Sequence, residues 1–305
     1  MTPDEFTIKE HMLPVGNGHT LYVQDWGNKK AKKPIIYLHG GPGSSCKDKY
    51  KKQFDPKNQR VIFFDQRGSG RSTPAGKWHH NTTQHMAADI TAIADKLNID
   101  KFILTGGSWG SCLALYYAIS QPSRVSALVI SGVFTGSQAE INWVDQGLFK
   151  THYPDAWSRY QASVPKKYAA NPSSYHFEHA LGTNAEKAKQ SAYQYSLLEG
   201  SVMALDDTFT ASNYDEFDPS GLLIEMRYMA KRCFLPDNYI LKRVSKLKMP
   251  IHIVQGRYDM VCAPAIAYEV AQKAQNATLT WVIAGHKLEH ETTTALKLLH
   301  QQVSA

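Results

Sequence analysis

Short hydrophobic runs alternate with polar stretches along most of the chain. The runs are rich in β-branched or aromatic side chains, and most of them end in Gly or Asp, which is typical of strands buried on both faces of a sheet. We therefore predict strands over residues 21–26, 34–38, 61–64, 102–105, 127–131, 251–255 and 279–284.

Helical periodicity appears between these runs. Residues 83–97 carry Met86, Ile90, Ile93 and Leu97 at spacings of three and four, and residues 111–120 form another apolar pattern that ends before Pro122. Strands that alternate with helices favour a mainly parallel sheet covered by helices on both faces. The predicted fold class is therefore α/β.

Residues 136–235 show a different pattern. They contain many Tyr, Trp, Phe and Met residues at helical spacings and few strand-like runs. We predict a helical cap over this range, inserted into a core formed by residues 1–135 and 236–305. An inserted cap would cover the carboxyl edge of the sheet, where open α/β sheets bind ligands. A second independent domain is the alternative.

The composition fits a globular protein and excludes several partner classes. The chain has 305 residues, of which 43% are hydrophobic and 20% charged, and its formal net charge is +7. Basic residues are scattered in short clusters such as 47–52, which we interpret as solvated surface, so no nucleic-acid partner is expected. The four cysteines lack CxxC spacing. We expect free thiols, no membrane span, no secretory leader and a cytoplasmic location.

The stretch GGSWG at residues 106–110 carries the clearest chemical signal. It matches G-x-S-x-G, with a predicted strand before it and a predicted helix after it. This context places the serine on a strained strand-to-helix turn, with its hydroxyl at the edge of the sheet. Ser108 is therefore the candidate nucleophile, and a glycine-serine turn without chemistry is the alternative.

A nucleophilic serine needs a base that is oriented by a carboxylate. In this strand-turn-helix context the chain order is serine, acid and histidine, with the last two after late strands. Asp259 and His286 occupy those positions. Asp237 and His290 are the competing residues.

Residues 286–290 also match H-x-x-E-H, a zinc-peptidase pattern. That pattern needs both histidines on one helix face and a further protein ligand. Because His286 directly follows a predicted strand and a glycine, we interpret the match as coincidence and predict no metal.

Two glycine-containing loops are predicted at the same edge of the sheet. The loop HGGPG at 39–43 lets a backbone N–H approach a substrate oxygen, so Gly41 and Trp109 are the predicted oxyanion-hole donors, with Gly40 as the neighbour of the first. No phosphate-binding glycine pattern is present. The stretch DQRGSGRS at 65–72 is interpreted as a structural network of Asp and Arg without chemistry.

Taken together, five motifs resemble those of the prolyl aminopeptidases, also called proline iminopeptidases, which are α/β-hydrolases of the serine-peptidase type. The motifs are HGGPG (39–43), DQRGSGRSTP (65–74), GGSWGS (106–111), GRYDMVC (256–262) and AGH (284–286). The resemblance implies release of N-terminal proline from short peptides with a free N-terminus, through an acyl-enzyme on Ser108. His286 would be general base and then acid, Asp259 would orient the imidazole, and no cofactor is needed.

The resemblance extends to two stretches of the predicted cap, YSLLEG (195–200) and IEMRYM (224–229). It implies that Glu199 and Glu225 bind the substrate amine, whereas the alternative is that both lie on ordinary helix surfaces. Arg227 and Met229 replace the His and Phe of the family pattern, so strict proline preference stays open. Phe134 and Met229 are the candidate pocket walls.

Two other functions remain open at this point. One is an α/β-hydrolase that cleaves esters or amides without requiring a free amine. The other is a catalytically inactive binding protein on the same fold. The two cap glutamates distinguish the first alternative from an aminopeptidase, because only an aminopeptidase needs to bind an ammonium group.

Overall fold

The protein is built on one eight-stranded sheet with the strand order β1-β2-β4-β3-β5-β6-β7-β8. The computed structural model describes residues 6–146, 149–205 and 209–305. In chain order the strands are β1 (Thr7–Gly16), β2 (His19–Gly27), β3 (Ile35–Leu38), β4 (Arg60–Phe64), β5 (Phe102–Ser108), β6 (Val125–Val133), β7 (Ile251–Gly256) and β8 (Ala277–Val282).

The sheet is mostly parallel, as the alternating pattern predicts. The pairings β1–β2 and β2–β4 are antiparallel, whereas the pairings from β4 through β3, β5, β6, β7 and β8 are parallel. The seven predicted strands are confirmed, with shifts of a few residues at their ends. The first strand, β1, was missed.

Helices cover both faces of the sheet. In chain order they are α1 (Thr83–Lys96), α2 (Trp109–Ser120), α3 (Gln138–Gln146), α4 (Phe149–His152), α5 (Pro154–Ala162), α6 (Pro172–Leu181), α7 (Ala185–Val202), α8 (Ser220–Ala230), α9 (Pro264–Lys273) and α10 (His290–Ser304). Short 3-10 helices lie at Asp48–Gln53, Pro122–Arg124, Lys166–Tyr168, Arg232–Phe234 and Val244–Lys246.

The side chains of β5 show how the two helical layers are divided. Phe102 and Leu104 join the larger core cluster, which includes buried residues of α1, α2 and α9. Ile103 points the other way and joins a second cluster that contains Leu296 of α10. Alternation along one strand thus supplies apolar surface to both faces of the sheet.

The segment 136–235, hereafter the cap segment, connects β6 to β7. Its described residues form α3 to α8, and none of them belongs to a named strand. The predicted helical character is confirmed, whereas the division into domains at 135/136 and 235/236 stays a prediction. The cap segment packs on the core near α2, where the rings of Trp109 and Tyr228 meet edge to face at 4.8 Å.

Two further sequence expectations concern the chain as a whole. The four cysteines are free thiols, as predicted. Within the described residues, every helix is too short or too polar to cross a bilayer.

Candidate active site

Ser108 lies at the abrupt turn from β5 into α2. Its φ of 57° and ψ of −128° are a backbone conformation that side chains rarely adopt. The turn is tight because a Cβ placed on Gly106 or Gly110 would lie 2.6 or 2.2 Å from the carbonyl oxygen of Leu38. The two outer glycines of the motif are therefore required by the close approach of β3.

Asp259 and His286 form a hydrogen-bonded pair across two loops. Asp259 follows β7 and His286 follows β8, and His286 Nδ1 donates to the two carboxylate oxygens at 3.0 and 2.9 Å. The side chains are 1% and 6% exposed, respectively. This arrangement leaves Nε2 of the imidazole as the nitrogen that can exchange a proton with a reacting group.

Backbone groups hold the Asp259 carboxylate in place. The amides of Val261 and Cys262 donate to its Oδ1 at 3.0 and 2.8 Å, and the Gln255 side chain donates to its Oδ2 at 3.2 Å. Gln255 is itself fixed, because its Oε1 accepts from the backbone N–H of Val133 at 2.9 Å. The carboxylate therefore has a fixed direction in which to orient His286.

The charge of Asp259 decides the proton affinity of the imidazole. Burial by itself lowers the pKa of His286, but the charge of Asp259, together with smaller contributions from Cys262 and from the hydrogen bond to Asp259, outweighs burial and holds that pKa well above its ordinary value of 6.5. An imidazolium formed during a proton transfer is thus stabilised at this position.

One cavity of about 250 Å³ is lined by several of the predicted residues, whereas Trp109, Phe134 and Met229 are not part of its lining. Ser108, Asp259 and His286 line it, as do Gly40 and Gly41 of the loop after β3. A Cβ placed on Gly40 would lie 4.0 Å from Ser108 Oγ, which shows how closely the loop backbone passes the hydroxyl. The cavity therefore combines a hydroxyl, an imidazole–carboxylate pair and a glycine backbone.

Trp109 is the first residue of α2, so its N–H belongs to the helix N-terminus, where amides lack intrahelical partners. Its indole is fully buried and donates through Nε1 to Gln66 Oε1 at 2.9 Å. The Gln66 side chain in turn donates to the carbonyl of His39 at 2.8 Å. Gln66 therefore links the helix after Ser108 to the glycine loop.

The His39 ring completes this link. Its Nε2 accepts from the backbone N–H of Gln66 at 2.9 Å, and its Nδ1 donates to the carbonyl of Gly40 at 2.9 Å. Burial lowers the pKa of His39, so the neutral ring is favoured, and one tautomer satisfies both bonds. Sequence reasoning missed Gln66 and this role of His39, because the partners are separated by 27 and 43 positions.

The two cap glutamates lie in the same cavity. Glu199 comes from α7 and Glu225 from α8, and both line the cavity beside His286. Burial raises the pKa of both carboxyl groups, and the charge of Glu199 raises the pKa of Glu225 further, to well above 4.5. Protonated Glu225 donates a hydrogen bond to Glu199, so the pair holds a proton and carries less than its full charge.

Other predicted residues lie elsewhere. Phe134 and Met229 do not line the cavity, and both pack in or against the larger core cluster instead. Asp237 Oδ1 accepts from the backbone N–H of Gln138 at 2.9 Å. His290 is exposed at the first position of α10. Since His286 precedes that helix, the two histidines of the H-x-x-E-H match do not share a helix face.

The stretch 65–72 forms the network of Asp and Arg that the sequence predicts. Arg67 and Asp89 make a bidentate ion pair, with both distances 2.7 Å and both side chains 2% exposed. Asp65 accepts from the backbone N–H of Cys46 at 2.7 Å and of Arg71 at 2.9 Å. These bonds fix the loops next to the cavity.

One group of side chains among the described residues has atoms placed to hold a metal ion. The ligand atoms of Asp259, Cys262 and His286 lie within 4.8 Å of one another. Because His286 Nδ1 already donates to Asp259, a metal there would replace the hydrogen bond that orients the imidazole.

The amino-acid sequence is similar to one family model and to several known proteins. A family model described as the alpha/beta hydrolase fold matches residues 33–288. The chain is 36% identical to a "Probable proline iminopeptidase" of Leptolyngbya boryana, covering 91% of this chain and 88% of that one. It is 37% identical to a "Proline iminopeptidase" of Xylella fastidiosa (strain 9a5c), covering 90% of each.

The fold is also similar to that of a solved structure. The crystal structure of a proline iminopeptidase from Mycobacterium smegmatis matches with a TM-score of 0.57 and 20% identity, covering 97% of this chain and 99% of that one. At this identity the match supports the fold alone.

Proposed function

The chain belongs to the proline iminopeptidases of the α/β-hydrolase family, and from this premise we propose that it is a serine aminopeptidase that releases N-terminal proline from short peptides. The observation that carries the proposal is the shared cavity. A candidate nucleophile with its base lies on the core side, and a carboxyl pair lies on the cap side.

The carboxyl pair would make a free amine a requirement for good substrates. A substrate ammonium placed between Glu199 and Glu225 would displace the proton that they hold and restore their charge. The bound amine would then fix how far the scissile carbonyl reaches toward Ser108. A peptide with a blocked N-terminus offers no such charge and leaves the pair partly protonated.

Acylation would proceed at Ser108. The Oγ attacks the scissile carbonyl carbon while Nε2 of His286 takes the hydroxyl proton, and Asp259 stabilises the imidazolium that results. The carbonyl oxygen becomes an oxyanion beside the backbone amides of Gly41 and Trp109. The C–N bond then breaks as Nε2 returns the proton to the leaving amine, which gives a prolyl ester on Ser108.

Deacylation would repeat these steps with water. His286 takes a proton from a water molecule that attacks the ester carbonyl, and it gives the proton back to Ser108 Oγ as the C–O bond breaks. The products are free proline and the shortened peptide. Each proton transfer uses the same nitrogen, which explains why one imidazole–carboxylate pair is sufficient.

An esterase or amidase without an amine requirement is the competing function, and one experiment separates the two. Hydrolysis of a prolyl arylamide with a free amine and of an uncharged arylester is measured for the wild type and for Glu199→Gln. The matched control is Glu178→Gln, which alters an exposed glutamate on α6.

We expect Glu199→Gln to lower kcat/KM for the arylamide by about 100-fold, because a buried charge pair with the substrate is lost. The ester should change little, and Glu178→Gln should leave both substrates unaffected. Equal losses on both substrates in Glu199→Gln, or wild-type turnover of an N-acylated prolyl arylamide, would contradict the aminopeptidase proposal.

A further inference from the structure

The cavity extends beyond Ser108, Asp259 and His286 to the second face of the sheet. This face is the one opposite to α1 and α2. The cavity lining includes Tyr37, Thr105, Val254 and Leu296. Tyr37, Val254 and Leu296 belong to the second core cluster, between the sheet and α10. We call this part, together with the rim residues described below, the distal lobe. The function proposed above gives it no role.

Two buried hydrogen-bonding groups in the distal lobe have no partner among the described residues. They are Gln53 Nε2 and Thr292 Oγ1, on side chains that are 2% and 6% exposed. Both residues line the cavity. Both atoms are shielded from solvent, so they make the wall of the lobe polar without contacting an occupant directly.

Two lysines line the rim of the same lobe. Lys49 comes from the 3-10 helix Asp48–Gln53 and Lys287 from the loop after His286. Within the described residues, neither ammonium group has a carboxylate within 4.0 Å. Glu289 is nearby in sequence, but its carboxylate accepts from the backbone N–H groups of Leu205 and Gly285 at 3.3 and 3.2 Å.

The two ammonium groups are close enough to affect each other. Burial lowers the pKa of Lys49, and the charges of Lys47 and Lys287 lower it further. The pKa values of Glu199 and Glu225, by contrast, are shifted by burial, by each other and by His286. The cavity lining therefore carries carboxyl groups that come from the cap segment and ammonium groups that come from the core.

From this polarity we propose that the distal lobe binds the C-terminal carboxylate of the leaving peptide, with Lys49 and Lys287 as the charged contacts. The proposal rests on the proposed function and specifies its substrate class as short zwitterionic peptides. The amine lies at the Glu199–Glu225 pair and the carboxylate at the lysines, with the scissile bond at Ser108 between them. A residue of extended chain spans about 3.5 Å, so peptides of different length place their carboxylate at different distances from the amine site.

The test compares peptides that differ only at their C-terminus. Pro-Ala and Pro-Ala-Ala are each used as the free acid and as the C-terminal amide, and kcat/KM is measured at low ionic strength. The variants are the double substitutions Lys49→Gln/Lys287→Gln and Lys49→Glu/Lys287→Glu. Lys30→Gln is the control, since Lys30 is exposed and does not line the cavity.

We expect the wild type to prefer the acid over the amide by about fivefold for at least one of the two lengths, the size expected for partly exposed ion pairs. The glutamine variant should bring the ratio close to one, and the glutamate variant should invert it. Lys30→Gln should keep the wild-type ratio. Added salt should reduce the preference, because exposed charges are screened.

A wild-type ratio near one for both lengths would overturn the inference and leave the aminopeptidase proposal standing. An unchanged preference in both double variants would also overturn it. If the wild type cleaves neither the acids nor the amides, the proposed function fails and the inference fails with it.

Discussion

Ser108 shows how a single residue can be identified from local sequence. The strand, the two close-packed glycines and the helix that create its positive φ are all within a few positions of it. Asp259 and His286 are found in the same way, because each directly follows a strand. What local sequence cannot supply is a contact between distant side chains, such as the link from Gln66 to His39 and Trp109.

Gln66 is a positioning residue, and it gives a prediction at this scale. Gln66→Met keeps the shape of the side chain but removes its bonds to His39 O and Trp109 Nε1. Those bonds join Trp109, one proposed oxyanion donor, to the glycine loop that carries the other, Gly41. We therefore expect kcat on a prolyl arylamide to fall about tenfold, while KM stays within about twofold.

Gln59→Met is the matched control, since Gln59 is also buried and makes two side-chain hydrogen bonds away from the cavity. It should leave kcat unchanged even if the melting temperature falls. The positioning role would be refuted if both variants lowered kcat equally, or if Gln66→Met raised KM alone.

At the level of elements, the edge strand β1 is the part of the sheet that the hydrophobic pattern did not predict. The strand β1 was missed, although Gly16-Asn17-Gly18 joins it to β2 and Asn17 and Gly18 have φ values of 54° and 75°. An Asn-Gly pair with positive φ at both positions is the preferred turn of a two-residue hairpin. That turn was the available signal, whereas β1 itself is half exposed and lacks a continuous apolar run.

The pairing of α7 and α8 through their glutamates leads to a prediction about pH. The pKa of Glu225 in the folded protein lies well above its ordinary value of 4.5. Between pH 4.5 and that raised pKa, the folded protein therefore binds more protons than the unfolded chain. The contribution of Glu225 to stability is therefore full below about pH 4.5 and is lost as the pH rises through the raised pKa. In Glu225→Gln the side-chain amide still donates to Glu199 but does not titrate. The loss of stability at higher pH is therefore absent in this variant.

We accordingly expect the melting temperature of Glu225→Gln, relative to wild type, to rise by about 2 °C or more between pH 5 and pH 8. Activity on a substrate with a free amine should fall in the same variant, since the amine site keeps only one of its two carboxyl groups. Thermal melts at the two pH values measure the effect, with Glu178→Gln as the control. A difference between variant and wild type that does not depend on pH would contradict the shared proton.

For the molecule as a whole, the cap segment and the core meet at the residues that carry the chemistry. The carbonyl of Met203, just after α7, accepts from the backbone N–H groups of His286 and Lys287, both at 2.9 Å. At a second contact between the two parts, a Cβ on Gly221 of α8 would lie 2.4 Å from the carbonyl oxygen of Gly43 in the glycine loop. The amine site, the histidine and the glycine loop are thus positioned together.

This joint positioning also limits what the sequence can predict at this scale. The mostly parallel sheet and a helical cap segment follow from periodicity, since each element carries its own apolar pattern. The separation of carboxyl and ammonium groups in the cavity cannot be predicted from periodicity. Lys49 and Lys287 are far apart in the chain, and each resembles an ordinary surface lysine. Only the folded arrangement places them beside the same cavity as Glu199 and Glu225.

The central claim is that Ser108 is a nucleophile activated by His286, and covalent labelling tests it most directly. The protein is treated with a small fluorophosphonate, and the adduct is located by intact-mass measurement and peptide mapping. We predict one adduct, on Ser108, in the wild type, and labelling slowed by several orders of magnitude in His286→Ala. An adduct on another residue, or undiminished labelling of Ser108 in His286→Ala, would contradict the account.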